Sequence, residues 1–203
     1  MSTTVVLQHT SVYDSDIISS NPTTKYGSGT LMAMGEHNAV VQVARILINF
    51  AGLSNGDVPK NRTVLSAKLA MYLADDASNT GRNYDVYRCK RNVVESEVTW
   101  NQYSAGNNWQ TAGGWGNDDN EKVLMARTAL TASEADGFKE WDLDTDMVFE
   151  MINGVWPYKW LMVRTLSEYN DQYIFRTTQH GTASSHPKLT ITLADFVGGV
   201  ILM

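Results

Sequence analysis

With 203 residues, the chain is long enough for one sizeable domain and short for two. Apolar residues at 43% and charged residues at 19% exclude extensive disorder, and a net charge of −6 without a Lys/Arg cluster leaves no footprint for nucleic acid. The single cysteine, Cys89, excludes a disulfide framework or a cysteine-based metal cluster and reads as an inert, partly buried thiol on a strand.

The N-terminal "MSTTVVLQHTSVYDSDI" lacks the basic flank, apolar core and small-residue cleavage site of a secretory signal, so synthesis without conventional export, or release as part of a larger assembly, is expected. Its first eight residues read as an arm able to pair with a neighbouring subunit. No apolar run approaches the ~18–20 residues of a membrane span.

Beyond this arm the dominant period is two. "RILINF" (Arg45–Phe50), "LSAKLAMYL" (Leu65–Leu73), "YDVYRC" (Tyr84–Cys89), "WLMVRTL" (Trp160–Leu166), "QYIFRTT" (Gln172–Thr178) and "KLTITL" (Lys188–Leu193) alternate or run apolar, with β-branched and aromatic residues. Between them lie Gly, Asn, Asp and Pro in turn chemistry, as in "LSNGDVPKN", "DDASNTG" and "QHGTASSHP". Trp141 and Trp160 fall on expected strands, and Trp100, two positions after Val98 in an expected Val-Thr-Trp strand, is expected inside the sandwich.

"DTDMVFEMING" (Asp144–Gly154) breaks the pattern, with Met147, Val148, Met151 and Ile152 at helical spacing, Asp144 or Thr145 as cap and Gly154 as stop. "TASEAD" (Thr131–Asp136) reads as a further helical turn capped by Ser133. The pattern predicts an all-β protein: an antiparallel jelly-roll β-sandwich with one or two short helices in its connections. Residues 1–193 form one domain, and 194–203 an apolar tail.

The order of motifs resembles the DNRLRE-type domains. "SVYDSDIISSNPTTKYGSG" is similar to that family's Asp-x-x-Ile strand (Asp14–Ile17) leading into Asn-Pro-Thr-x-Asn-Tyr-Gly (Asn21–Gly27), with Lys25 in place of Asn. "ARILINFAGL" followed by "LSAKLAMYL", then "VYRCKRNVVESEVTWNQ", "EWDLDTDMVFEMING" and "SSHPKLTITL" match its later motifs, with Ala51 for an Asp and Val93 for a Trp. The resemblance implies a sandwich related to carbohydrate-binding modules, found in secreted or cell-surface proteins and in bacteriophage virions, and not itself an enzyme.

Catalysis finds no motif. His9, His37, His180 and His186 lie in expected loops or termini, outside G-x-S-x-G or H-E-x-x-H contexts. Glu95 and Glu97 share one face of the expected strand and read as turn or solvated carboxylates. "DDASNTGRNYD", with Asp75 and Asp76, and "GNDDNE", with Asp118 and Asp119, are the candidate positions for a structural Ca²⁺. No other cofactor is implied.

"SAGNNWQTAGGWGNDDN" puts Trp109 and Trp115, with Tyr103, Asn107, Asn108, Asn117 and Asp118, where they would either close the end of a core or stack on a glycan. Trp156 and Tyr158 of "NGVWPYKW" are a second candidate surface. In the tail, Phe196, Val197, Val200, Ile201, Leu202 and Met203 are apolar enough to dock into a neighbouring subunit. Two functions follow as expectations. One is a structural virion protein (capsid decoration, tail or fibre-associated) that assembles with itself and other virion proteins. The other is an extracellular or surface carbohydrate-binding or adhesion module.

Overall fold

The computed structural model describes residues 1–37, 42–78, 80–166 and 171–195. In chain order the strands are β1 (Ser2–Gln8), β2 (Val12–Ile18), β3 (Leu31–His37), β4 (Gln42–Phe50), β5 (Val64–Asp76), β6 (Arg82–Arg88), β7 (Gln102–Ser104), β8 (Asn107–Asn108), β9 (Ala126–Leu130), β10 (Gly137–Asp142), β11 (Trp160–Arg164), β12 (Tyr173–Arg176) and β13 (Lys188–Ala194). One α-helix, α1 (Thr145–Asn153), is present among the described residues. The expected all-β antiparallel sandwich is therefore what forms. The tail residues Phe196, Val197, Val200, Ile201, Leu202 and Met203 lie outside the described residues.

One half of the sandwich runs β1-β13-β5, with β10 on the other edge of β5 and β12 continuing the β13 side. The other half runs β2-β4-β11-β6-β9. Between the halves Ile46, Ile48 and Phe50 of β4, Leu161 and Val163 of β11, and Tyr84 and Val86 of β6 meet Leu69, Met71 and Leu73 of β5, Phe175 of β12, and Leu189 and Ile191 of β13. Each large side chain buried there contributes about 1.5–3 kcal/mol. Trp141 of β10 is fully buried and donates its indole N–H to Tyr84 O at 3.0 Å, which satisfies its one polar atom. The helix forms as its sequence predicts. Asp144 caps it through Met147 N at 2.9 Å, Gly154 ends it at φ +80°, and Met147, Val148, Met151 and Ile152 face the core.

The halves are one continuous, curled sheet because β3 belongs to both. Its residues 31–34 pair with β12 and its residues 35–37 with β4. The switch falls on Gly35, at φ +96°, where a Cβ would press into the carbonyl oxygen of Asp171. Asp171 clamps the corner: its carboxylate accepts Glu36 N at 2.8 Å and its own N–H donates to Glu36 O at 3.1 Å. The hydroxyl of Tyr84 donates to the Asp171 carbonyl.

Three local expectations are corrected. The N-terminal arm does not stand free for a neighbour; as β1 it pairs along its length with β13, Ser2 opposite Ala194 and Gln8 opposite Lys188. Residues 131–136 make a turn and not a helix, because the Glu134 carboxylate accepts Thr131 N at 2.7 Å and Ser133 caps nothing helical. The "EVTWN" segment is no strand. Val98 N bonds back to Val94 O at 2.9 Å, and Thr99 Oγ1 accepts Asn101 N and Gln102 N, curling the chain.

Gly35→Ala is expected to lose about 1–3 kcal/mol from its backbone conformation alone, and more from the crowding at Asp171. Gly56→Ala, also at positive φ but with no atom near its Cβ, should lose only the backbone part. Urea denaturation of both variants checks this; equal losses would argue against a crowded corner.

Candidate functional site

The chain leaves β6 at Cys89 and returns into β9 at Ala126, and the two ends of this long connection lie side by side. Lys90 N donates to Asp119 O at 2.7 Å, Glu121 N to Arg88 O at 2.9 Å, and Met125 N to Val86 O at 2.9 Å. Between these anchors the connection folds over the outer face of the second half. There Val93, Val98 and Trp109 cover Ile17 of β2, Leu47 of β4, and Trp160 and Met162 of β11. Cys89 is fully buried in this second apolar cluster, and burial pushes its thiol far above the usual range, so it is inert.

Asp119 holds the connection in shape. Its buried carboxylate accepts Gln110 N at 2.8 Å, Thr111 N at 3.0 Å and Gly116 N at 3.0 Å, and pairs with Arg91 at 3.2 Å. A carboxylate so bonded organises three backbone amides that would otherwise lie unpaired near a dry interface. Asn120, also fully buried, donates to the Gly114 carbonyl.

The aromatic residues that would either close a core or stack on a glycan turn inward or carry cations. Trp109 is 5% exposed and donates its indole N–H to Thr99 O at 3.0 Å. Trp115 is half-buried, with Lys122 Nζ 3.5 Å and Arg164 Cζ 4.3 Å from its ring centre and the Tyr87 ring edge-on at 4.8 Å. Tyr103 carries the Arg91 guanidinium at 5.3 Å, and Trp156 that of Arg88 at 4.1 Å, with Tyr158 edge-on to Trp156. Trp100, expected inside the sandwich, is half-buried on the outer cover, with Arg45 at 4.8 Å and Gly113 against it. Asn107 bonds back to Ser104 and Ala105, and Asp118 to Gln110. These contacts are made within the molecule, and they fit the reading in which Trp109 and Trp115 close the end of a core.

A different surface does assemble. A cleft of about 390 Å³ lies where the covering connection meets the loop after β2. It is lined by Thr23, Lys25, Asn101, Gln102, Asn108 and the remaining edge of Trp109. Its frame is fixed by backbone bonds: Asn101 N donates to Pro22 O at 3.1 Å and Trp109 N to Asn101 O at 3.1 Å. Thr23, Lys25, Asn101 and Asn108 are exposed, and Gln102 Nε2 donates to Asn108 Oδ1 at 3.1 Å. Neither Asn101 nor Lys25 was legible as a site residue, because the sequence places them in separate loops.

The candidate Ca²⁺ positions hold other bonds. Asp76 accepts Ser78 N at 2.8 Å and the N–H of Glu134, and both Asp119 oxygens face N–H donors. Among the described residues no group of three or more His, Cys, Asp or Glu side chains gathers as for a metal ion. Asp75 lines a separate cleft beside Asp16 and Tyr26.

Two buried acids close the open side of the sandwich. From β2, Asp14 accepts Thr178 N at 2.9 Å and Asp16 accepts Ala33 N at 2.8 Å, so each ties this edge strand to the opposite half. One oxygen of each has no hydrogen-bond partner. Burial, above all, raises both carboxyls from 3.8 to about 7, with Glu95 and Asp16 adding to it at Asp14.

The family model described as the disaggregatase related repeat domain matches residues 14–191. The chain belongs to that family, and this finding overturns the DNRLRE-type resemblance. The motifs behind that resemblance serve packing: Asp14 and Asp16 stitch the halves, Tyr26 packs on the cluster of Ile18, Ala33 and Ala44, and Gly27 lies against the Glu95 carbonyl. Patterns of this kind encode a sandwich and not the identity of one family. No curated protein matches the chain.

Trp109→Ala should cost about 3–5 kcal/mol in chemical denaturation, as removal of a buried aromatic does, and not act selectively on binding. Asp14 and Asp16 set a pH dependence of stability. Between pH 3.8 and about 7 the folded chain holds protons that the unfolded chain has released. The stability they contribute is full below that window and lost as pH rises through about 7. Asp16→Asn, which keeps an acceptor for Ala33 N, should flatten the fall in Tm across this window; an unchanged slope would show that Asp16 does not titrate there.

Proposed function

We propose that this member of the disaggregatase related repeat family is a non-catalytic β-sandwich module that binds carbohydrate in the cleft between Lys25 and Asn108. The observation that carries this reading is the convergence of Thr23, Lys25, Asn101, Gln102 and Asn108 on one edge of Trp109 in a rigid frame. Side-chain amides, a hydroxyl and an ammonium supply both donors and acceptors, which a neutral polyol needs. The buried indole offers a small apolar floor without a broad stacking face. Recognition in this cleft is therefore polar and edge-on, unlike stacking on the faces of Trp109 and Trp115.

The alternative role, a structural protein of a bacteriophage particle acting through assembly, drew on the apolar tail and on the DNRLRE-type resemblance. The tail lies outside the described residues and the resemblance is overturned, so no specific observation favours that role.

Asn101→Ala and Asn108→Ala test the proposal, since both side chains are exposed and their loss should leave Tm unchanged. On a glycan array, and then by calorimetry with the best ligand, each lost hydrogen bond should cost about 0.5–1.5 kcal/mol, roughly two- to tenfold in Kd. A wild-type protein that retains no glycan, or a double variant that binds as tightly as wild type, would overturn the assignment.

A further inference from the structure

A second cleft, of about 350 Å³, opens at the opposite end of β2 and is independent of the carbohydrate reading. It is lined by His9, Tyr13, Glu95, Thr178, Gln179 and His186. His9 begins the single 3₁₀ turn joining β1 to β2 (His9–Ser11), and His186 immediately precedes Pro187 and β13. The sequence separates them by most of the chain, yet their Nδ1 atoms lie 3.1 Å apart.

The two rings are held very differently. His186 is buried and fixed on three sides: its N–H donates to Ala183 O at 3.2 Å, its carbonyl accepts Gln8 Nε2 at 2.9 Å, and its Nε2 lies 2.6 Å from His180 O. A carbonyl oxygen only accepts, so Nε2 carries a proton, and in that tautomer the Nδ1 lone pair faces His9. His9 is exposed and sits at φ +61°, the left-handed region that a side-chain-bearing residue enters rarely. That backbone conformation brings its ring to the mouth of the cleft, opposite the waiting lone pair. The ring planes stand 67° apart with centroids 5.1 Å apart, so the rings do not stack.

We infer that His9 and His186 form a two-imidazole site for a divalent first-row transition ion, with both Nδ1 atoms as ligands. Two ligands 3.1 Å apart, each at the usual 2.0–2.1 Å from zinc, subtend about 95–102° at the metal, between octahedral and tetrahedral angles. The bond from His186 Nε2 to a backbone carbonyl is the outer-shell support that metal-bound imidazoles commonly have. Imidazole nitrogens select zinc, nickel and copper over magnesium or calcium. Water fills the remaining positions, for which the cleft has room, and the Glu95 carboxylate in its wall adds favourable negative charge.

Occupation requires only a change of tautomer. In the metal-free pair His9 Nδ1–H donates to His186 Nδ1; on binding, that proton moves through solvent to His9 Nε2 and both Nδ1 lone pairs face the ion. A bound ion ties the β1–β2 turn to the segment that starts β13. His9 lies before the residues that the family model matches, and His186 lies within them.

The test uses tag-free, metal-stripped protein titrated with ZnCl₂ and with NiCl₂ near neutral pH. Wild type should bind one equivalent by calorimetry and melt at a higher temperature with the metal. Two-bond ¹H–¹⁵N spectra should show the proton of one exposed histidine moving from Nδ1 to Nε2. His9→Asn, which tolerates the left-handed backbone, should fold normally and lose both the binding heat and the Tm rise. His186→Gln should lose them too. His180→Ala should bind as wild type does, because His180 contributes its backbone carbonyl. No heat in wild type, a Tm rise undiminished in His9→Asn, or an unchanged His9 tautomer at saturating zinc would overturn the assignment and leave a simple histidine–histidine hydrogen bond.

Discussion

The strand β4 and its neighbour β11 carry apolar side chains on both faces, and the rest of the molecule is arranged around that constraint. Ile46, Ile48, Leu161 and Val163 point into the sandwich, while Leu47, Met162 and Trp160 point the other way. A sheet apolar on both faces needs two covers. The opposite half of the sandwich supplies one. The other is the long connection from Cys89 to Ala126, which has little regular structure beyond the short β7–β8 pair and must be held by side chains. Asp119, Asn120 and Arg45 do this from within, because an irregular segment over a dry face leaves backbone amides and carbonyls to satisfy.

This double demand was present in the sequence. "RILINF" and "WLMVR" run apolar without the polar alternation of a one-sided strand, which is the mark of burial on both faces. The six strands read from alternation and the helix capped by Asp144 all form, since local pattern and turn chemistry determine them. What covers the outer face is a tertiary matter. "VESEVTWN" has the composition of a strand, yet Thr99 draws the backbone into a turn and places Trp100 on the cover. The loop tryptophans were legible as aromatic residues in a polar segment, but not the arginines over Trp100 and Trp115. Arg45 and Arg164 come from β4 and β11, far along the chain from the loop.

The corner between the halves shows a second dependence on long-range contact. Strand β3 changes partners at Gly35, which exposes N–H groups on its early residues where β4 no longer runs beside them. Asp16 meets one of these at Ala33, and Asp14 meets Thr178 on the segment that follows β12. A carboxylate is a costly way to satisfy a buried amide, since desolvation opposes its charge, and both acids are accordingly pushed toward neutrality. The Asp-x-Asp spacing on one strand face was visible in the sequence. Its task was not, because the partners lie on β3 and beyond β12.

Both clefts follow from the way the cover is attached. The connection touches the sandwich at its two rims: at Pro22 through Asn101, and at β2 through Glu95, which accepts Asp14 N at 2.8 Å. A clamp at each rim leaves a recess beside it, the amide-lined cleft at one and the His9–His186 cleft at the other. The recess walls combine residues held by backbone hydrogen bonds with exposed loop residues. The clamps hold the positions of the walls, while Lys25, Asn101 and His9 can change without disturbing any core contact. Beneath the cover no such freedom exists, because Trp109 and Asp119 already serve the fold.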